Sequence, residues 1–195
     1  MGKPLSEMTR EELWQLFPIV LAEYDPEWPD WFRDESEAIR LALGGDAIAR
    51  MSHIGSTAVE GMTAKPTVDI LLEVRDVSDM AAIVTRLEAA GWRWHRRPTA
   101  DVPEDDAVLN KGYTEQGFAA RVFHLHVRAH GDWDELYFRD RLREDAAVRE
   151  EYARLKGGLV GQYRHNRDAY TDAKTEFVKR HTAIARERYG GRYRP

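Results

Sequence analysis

Cysteine is absent from the 195 residues of this chain, so disulfides, thiolate metal ligands and a cysteine nucleophile are all excluded. Long apolar runs are absent as well, because the longest, at residues 17–22, is far shorter than a membrane-spanning helix. The first residues carry no secretory signal. The net charge of −5 provides no surplus of cations for long nucleic acid. We therefore expect a cytoplasmic protein that binds neither a membrane nor long nucleic acid.

Hydrophobic residues make up 43% of the chain, which is enough for a packed core, and their spacing predicts both strands and helices. Apolar and β-branched runs predict strands over residues 17–24, 47–54, 67–74, 92–95, 108–114 and 119–127. Capping residues followed by helical spacing predict helices over residues 9–16, 25–43 and 78–90. An acidic, proline-containing loop is expected over residues 99–107.

The strand signals end near residue 130, and two apolar stripes at helical spacing follow, divided at Gly157-Gly158. These patterns predict an α+β fold in a single domain, residues 1–195. A mixed β-sheet flanked by helices is expected over residues 1–130, followed by a C-terminal helical pair over residues 131–188. Residues 189–195, rich in glycine and arginine, are predicted to be a frayed tail.

The most informative stretch is a Gly-Ser turn, Gly55-Ser56, which leads through small residues into an apolar strand that carries Asp69. Backbone N–H groups at such a turn bind phosphate oxygens, because glycine lets the chain approach the ligand closely. Asp69 stands between two apolar residues, and side chains alternate along a strand, so its carboxylate should point away from the core. The predicted phosphate- or nucleotide-binding residues of this stretch are Gly55, Ser56, Thr57 and Lys65.

These residues also have a structural interpretation. Ser56 and Thr57 could cap a helix, which is itself compatible with anion binding because helix N-termini have free N–H donors. Lys65 could be a solvated loop residue instead of a counter-charge for phosphate. His53, directly before the turn, is interpreted as a buried, hydrogen-bonded histidine that fixes the turn.

Further blocks follow the turn in a fixed order, and together they resemble the GrpB family over roughly residues 16–177. The blocks are Tyr24-Asp25-Pro26 with Trp28, residues 53–69, Phe123-His124-Leu125-His126-Val127, Leu136-Tyr137-Phe138-Arg139-Asp140 with Leu142-Arg143, Tyr152, Leu155-Lys156, Tyr170 and Lys174. Members of this family resemble nucleotidyltransferases in fold and are sometimes fused behind dephospho-CoA kinase. The resemblance therefore implies a nucleotidyltransferase-like mixed sheet.

The resemblance also makes Arg139 a candidate phosphate-binding cation. Spacing alone would place Arg139 and Lys156 in surface ion pairs with Asp140 and Glu151. Glu60 stands where the family usually has proline, and it puts a negative charge in the loop that should face phosphate.

The nucleotidyltransferase pattern continues with two carboxylates two residues apart on one strand, which share Mg²⁺. Here Asp69 is the first, but Leu71 occupies the second position, and Glu73 lies about 13 Å from Asp69 along the strand. His124 and His126 share one face of a later strand and could fill the gap. We predict Asp69, His124 and His126 as metal ligands, with Asp69 and His126 as catalytic residues. Mg²⁺ or Mn²⁺ is the expected ion and Zn²⁺ the less favoured one. Alternatively, the histidines hydrogen-bond Asp69 or the backbone and bind no metal.

Three functions follow as hypotheses. The first is a metal-dependent nucleotidyltransferase that binds a nucleotide or phosphorylated small molecule beside Asp69. The second, motivated by Leu71 in place of an acid, is a non-catalytic regulatory module that binds the same ligands and has a degenerate metal site. The third is a metal-dependent hydrolase or ligase that uses Asp69 with His124 and His126.

Overall fold

The computed structural model describes residues 3–94 and 106–195. Its strands are β1 (Ile48–Ile54), β2 (Val68–Val74), β3 (Arg93–Trp94), β4 (Ala107–Thr114) and β5 (Gly117–Ala129). They form one mixed sheet in the order β1-β2-β5-β4-β3, in which only the β2–β5 pair is parallel among the described strands. The strands predicted over residues 47–54, 67–74, 108–114 and 119–127 are confirmed to within two residues at each end.

The helices of the described ranges are α1 (Arg10–Leu16), α2 (Trp28–Leu43), α3 (Met80–Ala89), α4 (Asp134–Glu144), α5 (Ala146–Tyr163), α6 (Arg167–Asp172) and α7 (Thr175–Tyr189). α1 opens with a capping box, in which Thr9 and Glu12 each accept a hydrogen bond from the other's backbone N–H. None of these helices combines the length and the apolar character that crossing a bilayer requires. The sheet and its helices confirm the predicted α+β class.

The alternation of side chains along β2 places two different environments on the two faces of the sheet. Ile70 and Leu72 point into the main core, which they share with α2 and α3. Leu71 points to the opposite face, where it packs with Ile54 and with Leu136 of α4. Asp69 belongs to this second face, so its carboxylate lies on the side covered by the C-terminal helices.

Residues 17–24 do not form the predicted strand. Pro18 has no N–H to donate to a ladder, and the backbone N–H of Ile19 bonds instead to the carbonyl oxygen of Arg164. An isolated bridge between Ala22 and Ala64 joins the segment to the chain ahead of β2. The segment is therefore an extended strap.

The C-terminal region contains four helices where the sequence predicted a pair. Gly157 and Gly158 lie inside α5. A glycine destabilises a helix interior by only about 1 kcal/mol relative to alanine, so the surrounding residues keep this segment helical. The break comes after Tyr163 instead. There the side chain of Asn166 accepts a hydrogen bond from the backbone N–H of Ala169 and begins α6.

The strand predicted over residues 92–95 is present, whereas the tail over residues 189–195 is not frayed as predicted. β3 is an edge strand, as predicted for residues 92–95, although residue 95 and residues 99–105 of the expected loop lie outside the described ranges. The predicted frayed tail is instead held in place. Tyr193 donates its hydroxyl hydrogen bond to Asp140, and Arg192 pairs with the same carboxylate at 2.8 Å.

A buried ion pair fixes the covered face of the sheet. Glu73 is fully buried and accepts two hydrogen bonds from the guanidinium of Arg50, one of them at 2.7 Å. The backbone N–H of Gly131 donates a third bond at 3.0 Å. Arg50 also donates to the carbonyl oxygens of Gly131 and Tyr193. Glu73 is therefore part of the structural framework and is not available as a second acid for Asp69.

We expect Arg50→Met to lower the free energy of unfolding by about 3–5 kcal/mol, because it leaves the Glu73 carboxylate buried without its cation. Chemical denaturation provides the measurement. Arg33→Gln is the matched control, since the Arg33–Asp30 pair is mostly exposed and should contribute less than about 1 kcal/mol. Equal, small losses in both variants would contradict the structural role assigned to Arg50.

Candidate functional site

The Gly-Ser turn and Asp69 are in direct contact. β1 ends at Ile54, which pairs with Asp69 of β2, and the chain then turns at Gly55 into a short 3-10 turn, Ser56–Ala58. Gly55 has a φ of 70°, a backbone conformation that residues with a side chain rarely adopt. A Cβ at this position would also clash with Oδ2 of Asp69 and lie 3.1 Å from its Cγ. Only glycine lets the turn approach the carboxylate this closely.

A chain of hydrogen bonds runs from Asp69 across the sheet to α6. Parallel pairing of β2 with β5 places His124 directly beside Asp69, and its Nδ1 lies 3.1 Å from Oδ1 of the carboxylate. The hydroxyl of Tyr113 is 2.6 Å from the other ring nitrogen of His124, Nε2. Arg167 of α6 donates to the same hydroxyl at 3.1 Å.

The direction of this chain follows from its two ends. Arg167 can only donate, and an ionised Asp69 can only accept, so His124 donates from Nδ1. Burial lowers the pKa of His124, which favours a neutral imidazole whose Nε2 accepts from the Tyr113 hydroxyl. Burial alone would raise the pKa of Asp69, but the His124 hydrogen bond and the positive charges of His124, His126 and Lys65, the two histidines being protonated in the acidic range where Asp69 titrates, lower it to about 2. Asp69 is therefore an oriented, fully ionised carboxylate at neutral pH.

Four cationic side chains gather beside the turn and this carboxylate. Lys65 precedes β2, Lys156 comes from α5, Arg167 from α6, and Lys174 from the turn that begins α7. The Lys156 ammonium is buried and donates to Ser56 Oγ at 3.1 Å and to the carbonyl oxygen of Thr63. Four separate parts of the chain thus supply positive charge to one place.

The pKa values of the three lysines are lowered mainly by burial and further by the neighbouring cations. Burial, with the positive charges of Arg167 and Lys174, lowers the pKa of Lys65 to about 7. Burial and the other two lysines lower the pKa of Lys156 to about 7. Burial lowers the pKa of Lys174 to about 8, with Arg167 acting in the same direction and Asp69 opposing it. A single carboxylate does not balance this cluster.

The other residues predicted around the turn have structural partners. Thr57 is buried, and its hydroxyl donates to the carbonyl oxygen of Thr67 at 3.2 Å and lies 3.0 Å from Nε2 of His53. His53 is itself buried and stacked on Phe32, as expected of a histidine that fixes the turn. Burial lowers the pKa of His53 to about 4, so its ring is neutral at pH 7. Ser56 faces Lys156.

Arg139 is turned away from this cluster. Its buried guanidinium pairs with Asp140 at 2.8 Å and donates to the carbonyl oxygen of His53 at 3.1 Å and to the hydroxyl of Tyr193 at 2.9 Å. All of these partners are structural, so Arg139 supports β1 just before the turn and is not included in the site proposed below.

The metal-ligand prediction lacks a matching set of donors. Within residues 3–94 and 106–195, no three His, Asp or Glu side chains gather closely enough to hold an ion. His126 pairs with Leu71, one pleat along from Asp69, and its Nδ1 is buried without a partner in the same ranges. Because His124 is bonded to Asp69 and Glu73 to Arg50, the residues do not fit a resident Mg²⁺, Mn²⁺ or Zn²⁺.

Comparison with known proteins identifies the family. The GrpB protein family profile matches residues 18–183. The chain belongs to the GrpB family. The UPF0157 protein BH1888 of Halalkalibacterium halodurans is 37% identical over 171 residues, which cover 83% of this chain and 79% of that protein. The crystal structure of conserved protein GrpB from Enterococcus faecalis aligns with a TM-score of 0.75 at 26% identity, covering 87% of this chain and 99% of that chain.

A more distant alignment joins a cytoplasmic RNA terminal U-transferase, with a TM-score of 0.43 at 17% identity, over 76% of this chain and 46% of that chain. No statement about function rests on this alignment. The fold and family of the chain are thus established by its GrpB relatives, and the chemistry of the site has to be argued from its own residues.

Sequence reasoning about this GrpB-family chain assigns no phosphate contact to Lys156 or Lys174, two cations of the cluster. Lys156 continues the spacing of Val148 and Tyr152, four residues apart each time, which places it on the buried face of α5. That register argues against the surface ion pair expected for it. Lys174 was noted only as a matching family position. Tyr113 and Arg167 carry no local signal, because their contact joins β4 to a helix 54 residues later.

We expect Gly55→Ala to destabilise the fold by about 1–3 kcal/mol, because the new methyl group meets the Asp69 carboxylate and the backbone conformation is strained. Thermal or chemical unfolding measures the loss. Gly157→Ala is the matched control, since nothing lies within 4 Å of its site in α5 and alanine should stabilise a helix interior by about 0.5–1 kcal/mol. A neutral Gly55→Ala would show that the turn does not press on Asp69.

Proposed function

We propose that this GrpB-family protein binds a nucleotide or another phosphorylated small molecule, with its phosphate groups between the Gly55-Ser56 turn and the basic cluster. The basic cluster is defined as Lys65, Lys156, Arg167 and Lys174. The observation that carries the proposal is the charge imbalance beside the turn, where four neighbouring cations gather near the single carboxylate of Asp69.

The imbalance is large because the described partners of the cluster are mostly uncharged. Lys156 bonds to a hydroxyl and a carbonyl oxygen, and Arg167 bonds to the Tyr113 hydroxyl. Neither Lys65 nor Lys174 has an acidic side chain within ion-pair distance in the part of the chain that the structure describes. Half-buried cations that repel one another are stabilised by an anion with several negative oxygens, and phosphate has this property.

The geometry also suits a phosphate chain better than a single carboxylate. Lysine ammonium groups act as point charges that follow a phosphate chain, whereas the arginine fork can hold one phosphate oxygen pair. The two kinds of cation approach from α5, α6 and the start of α7, so an extended polyphosphate could contact several of them at once.

We expect Lys174→Gln to weaken the binding of ATP, GTP, CTP and UTP by about tenfold or more, because a charge-assisted hydrogen bond contributes about 1.5–3 kcal/mol. Isothermal titration calorimetry measures the affinities. Lys179→Gln removes an exposed lysine from the same helix and should leave them unchanged. Wild-type protein that binds none of the four nucleotides would contradict the proposal, as would equal affinities in the two variants.

Binding should strengthen as the pH falls from 9 to 7. The pKa values of Lys65 and Lys156 are lowered to about 7 and that of Lys174 to about 8, so these amines are largely neutral at pH 9 without ligand. A bound phosphate favours their charged forms, and the protein must then take up protons on binding. Titration calorimetry at pH 8 in buffers of different ionisation enthalpy should show this uptake, and Lys174→Gln should reduce it. No uptake would contradict the lysine contacts.

Nucleotidyl transfer to a small acceptor is the second candidate function. It is favoured by the oriented, ionised Asp69 beside the turn, which occupies the position of the first acid in the pattern that the family resemblance implies. Asp69→Asn keeps the shape of the side chain and removes its negative charge. If the protein is a transferase, this variant should lose pyrophosphate release with Mg²⁺ or Mn²⁺ in solution while still binding nucleotide. Binding without turnover in the wild type would support the regulatory alternative.

A further inference from the structure

A second concavity opens near the same turn. It is a groove of about 570 Å³ whose polar lining consists of Tyr24, Glu60, Arg143 and Arg149. Ala58 and Val59, which follow Ser56 directly, form part of its wall. The site described above does not use any of these polar side chains.

The two arginines of the groove are held by carbonyl groups. Arg143 donates from Nε and Nη2 to the carbonyl oxygen of Ala58, at 2.9 and 2.8 Å. Arg149 donates to the carbonyl oxygen of Leu142 at 3.2 Å. Neither has an acidic side chain within 4.0 Å among the described residues, whereas neighbouring Arg141 pairs with Asp145. These bonds fix the positions of both guanidinium groups, and a ligand with a negatively charged oxygen can therefore pair with them.

Glu60 supplies the opposite charge on the loop side of the groove. It has no cationic partner within 4.0 Å in the described ranges. Burial raises the pKa of Tyr24, with Glu60 acting in the same direction and Arg143 opposing it. The phenol thus lies within the fields of both charges. A groove with two cations at one side and a carboxylate at another is complementary to a ligand that carries both signs, whereas a phosphate dianion would be repelled by Glu60.

The position of the groove relates it to the phosphate site. Arg149 and Lys156 are seven residues apart on α5, which corresponds to two helical turns on one face and about 10 Å. Lys156 bonds to Ser56, and Arg143 bonds to Ala58. One short turn of chain therefore connects the two sites.

We propose that this groove binds a small zwitterion of the amino-acid class, with its carboxylate at Arg143 and Arg149 and its ammonium group at Glu60. The proposal goes beyond the phosphate site and does not depend on it. If the protein is a transferase, a ligand held here lies beside the same turn as the phosphate site and is in the right region to be the acceptor.

Three five-carbon probes that differ only in their end groups test this proposal: 5-aminopentanoate, glutarate and 1,5-diaminopentane. Titrations of the full chain, followed by NMR or calorimetry, should show that 5-aminopentanoate binds tightest. Arg149→Gln should weaken its binding by about tenfold. Glu60→Gln should abolish the preference for 5-aminopentanoate over glutarate, because glutarate has a second carboxylate in place of the ammonium group.

Arg154→Gln removes an exposed arginine from the same helix and should change none of these affinities. Wild-type protein that binds glutarate as tightly as 5-aminopentanoate, or that binds no probe at millimolar concentration, would overturn the proposal. Lys174→Gln should leave the probe affinities unchanged, so a failure of the phosphate proposal and a failure of this one are distinguishable.

Discussion

The close approach of Gly55 to the Asp69 carboxylate is the contact on which the site depends. Strand pairing between β1 and β2 brings the end of one strand beside the start of the other, but any side chain at residue 55 would force the turn and the acid apart. With glycine there, the carboxylate is held on one side by the turn and on the other by His124. The arrangement of the turn and the carboxylate is thus set by local sterics and by the parallel β2–β5 register.

The balance of charges distinguishes this site from the rest of the described chain. Elsewhere in the described chain, buried charges have partners of opposite sign, as in the pairs Arg50–Glu73 and Arg139–Asp140. Near Asp69 several cations are instead buried or half-buried together, which costs free energy because they lack acidic partners within the described ranges. Imbalance of this kind is characteristic of ligand sites, because the missing charge comes from the ligand. The same reasoning applies, with both signs present, to the groove that contains Arg143, Arg149 and Glu60.

The sequence predicts the sheet well, because the local periodicity of residues in β1, β2 and β5 is typical of strands. Their register follows from the burial of one face. The sequence also places the turn and Asp69 on adjacent strands. The sequence does not predict which cations lie near the turn and Asp69. Arg167 contacts Tyr113, which is 54 residues away in the chain, and the charge pattern around Lys156 favours a surface ion pair. Arg139 illustrates the opposite case: the family resemblance makes it a candidate for phosphate binding, while in the structure its guanidinium bonds to Asp140 and to the carbonyl oxygen of His53.

The contacts of Tyr193 bear on the order in which parts of this molecule open. Chain ends usually fray first, at almost no cost in free energy. Here the backbone of Tyr193 accepts from Arg50, and its side chain bonds to Arg139 and Asp140. Peeling the last residues away would therefore loosen the cation that neutralises Glu73 and the one that supports His53. Cleavage of this terminal segment would consequently be felt at the turn.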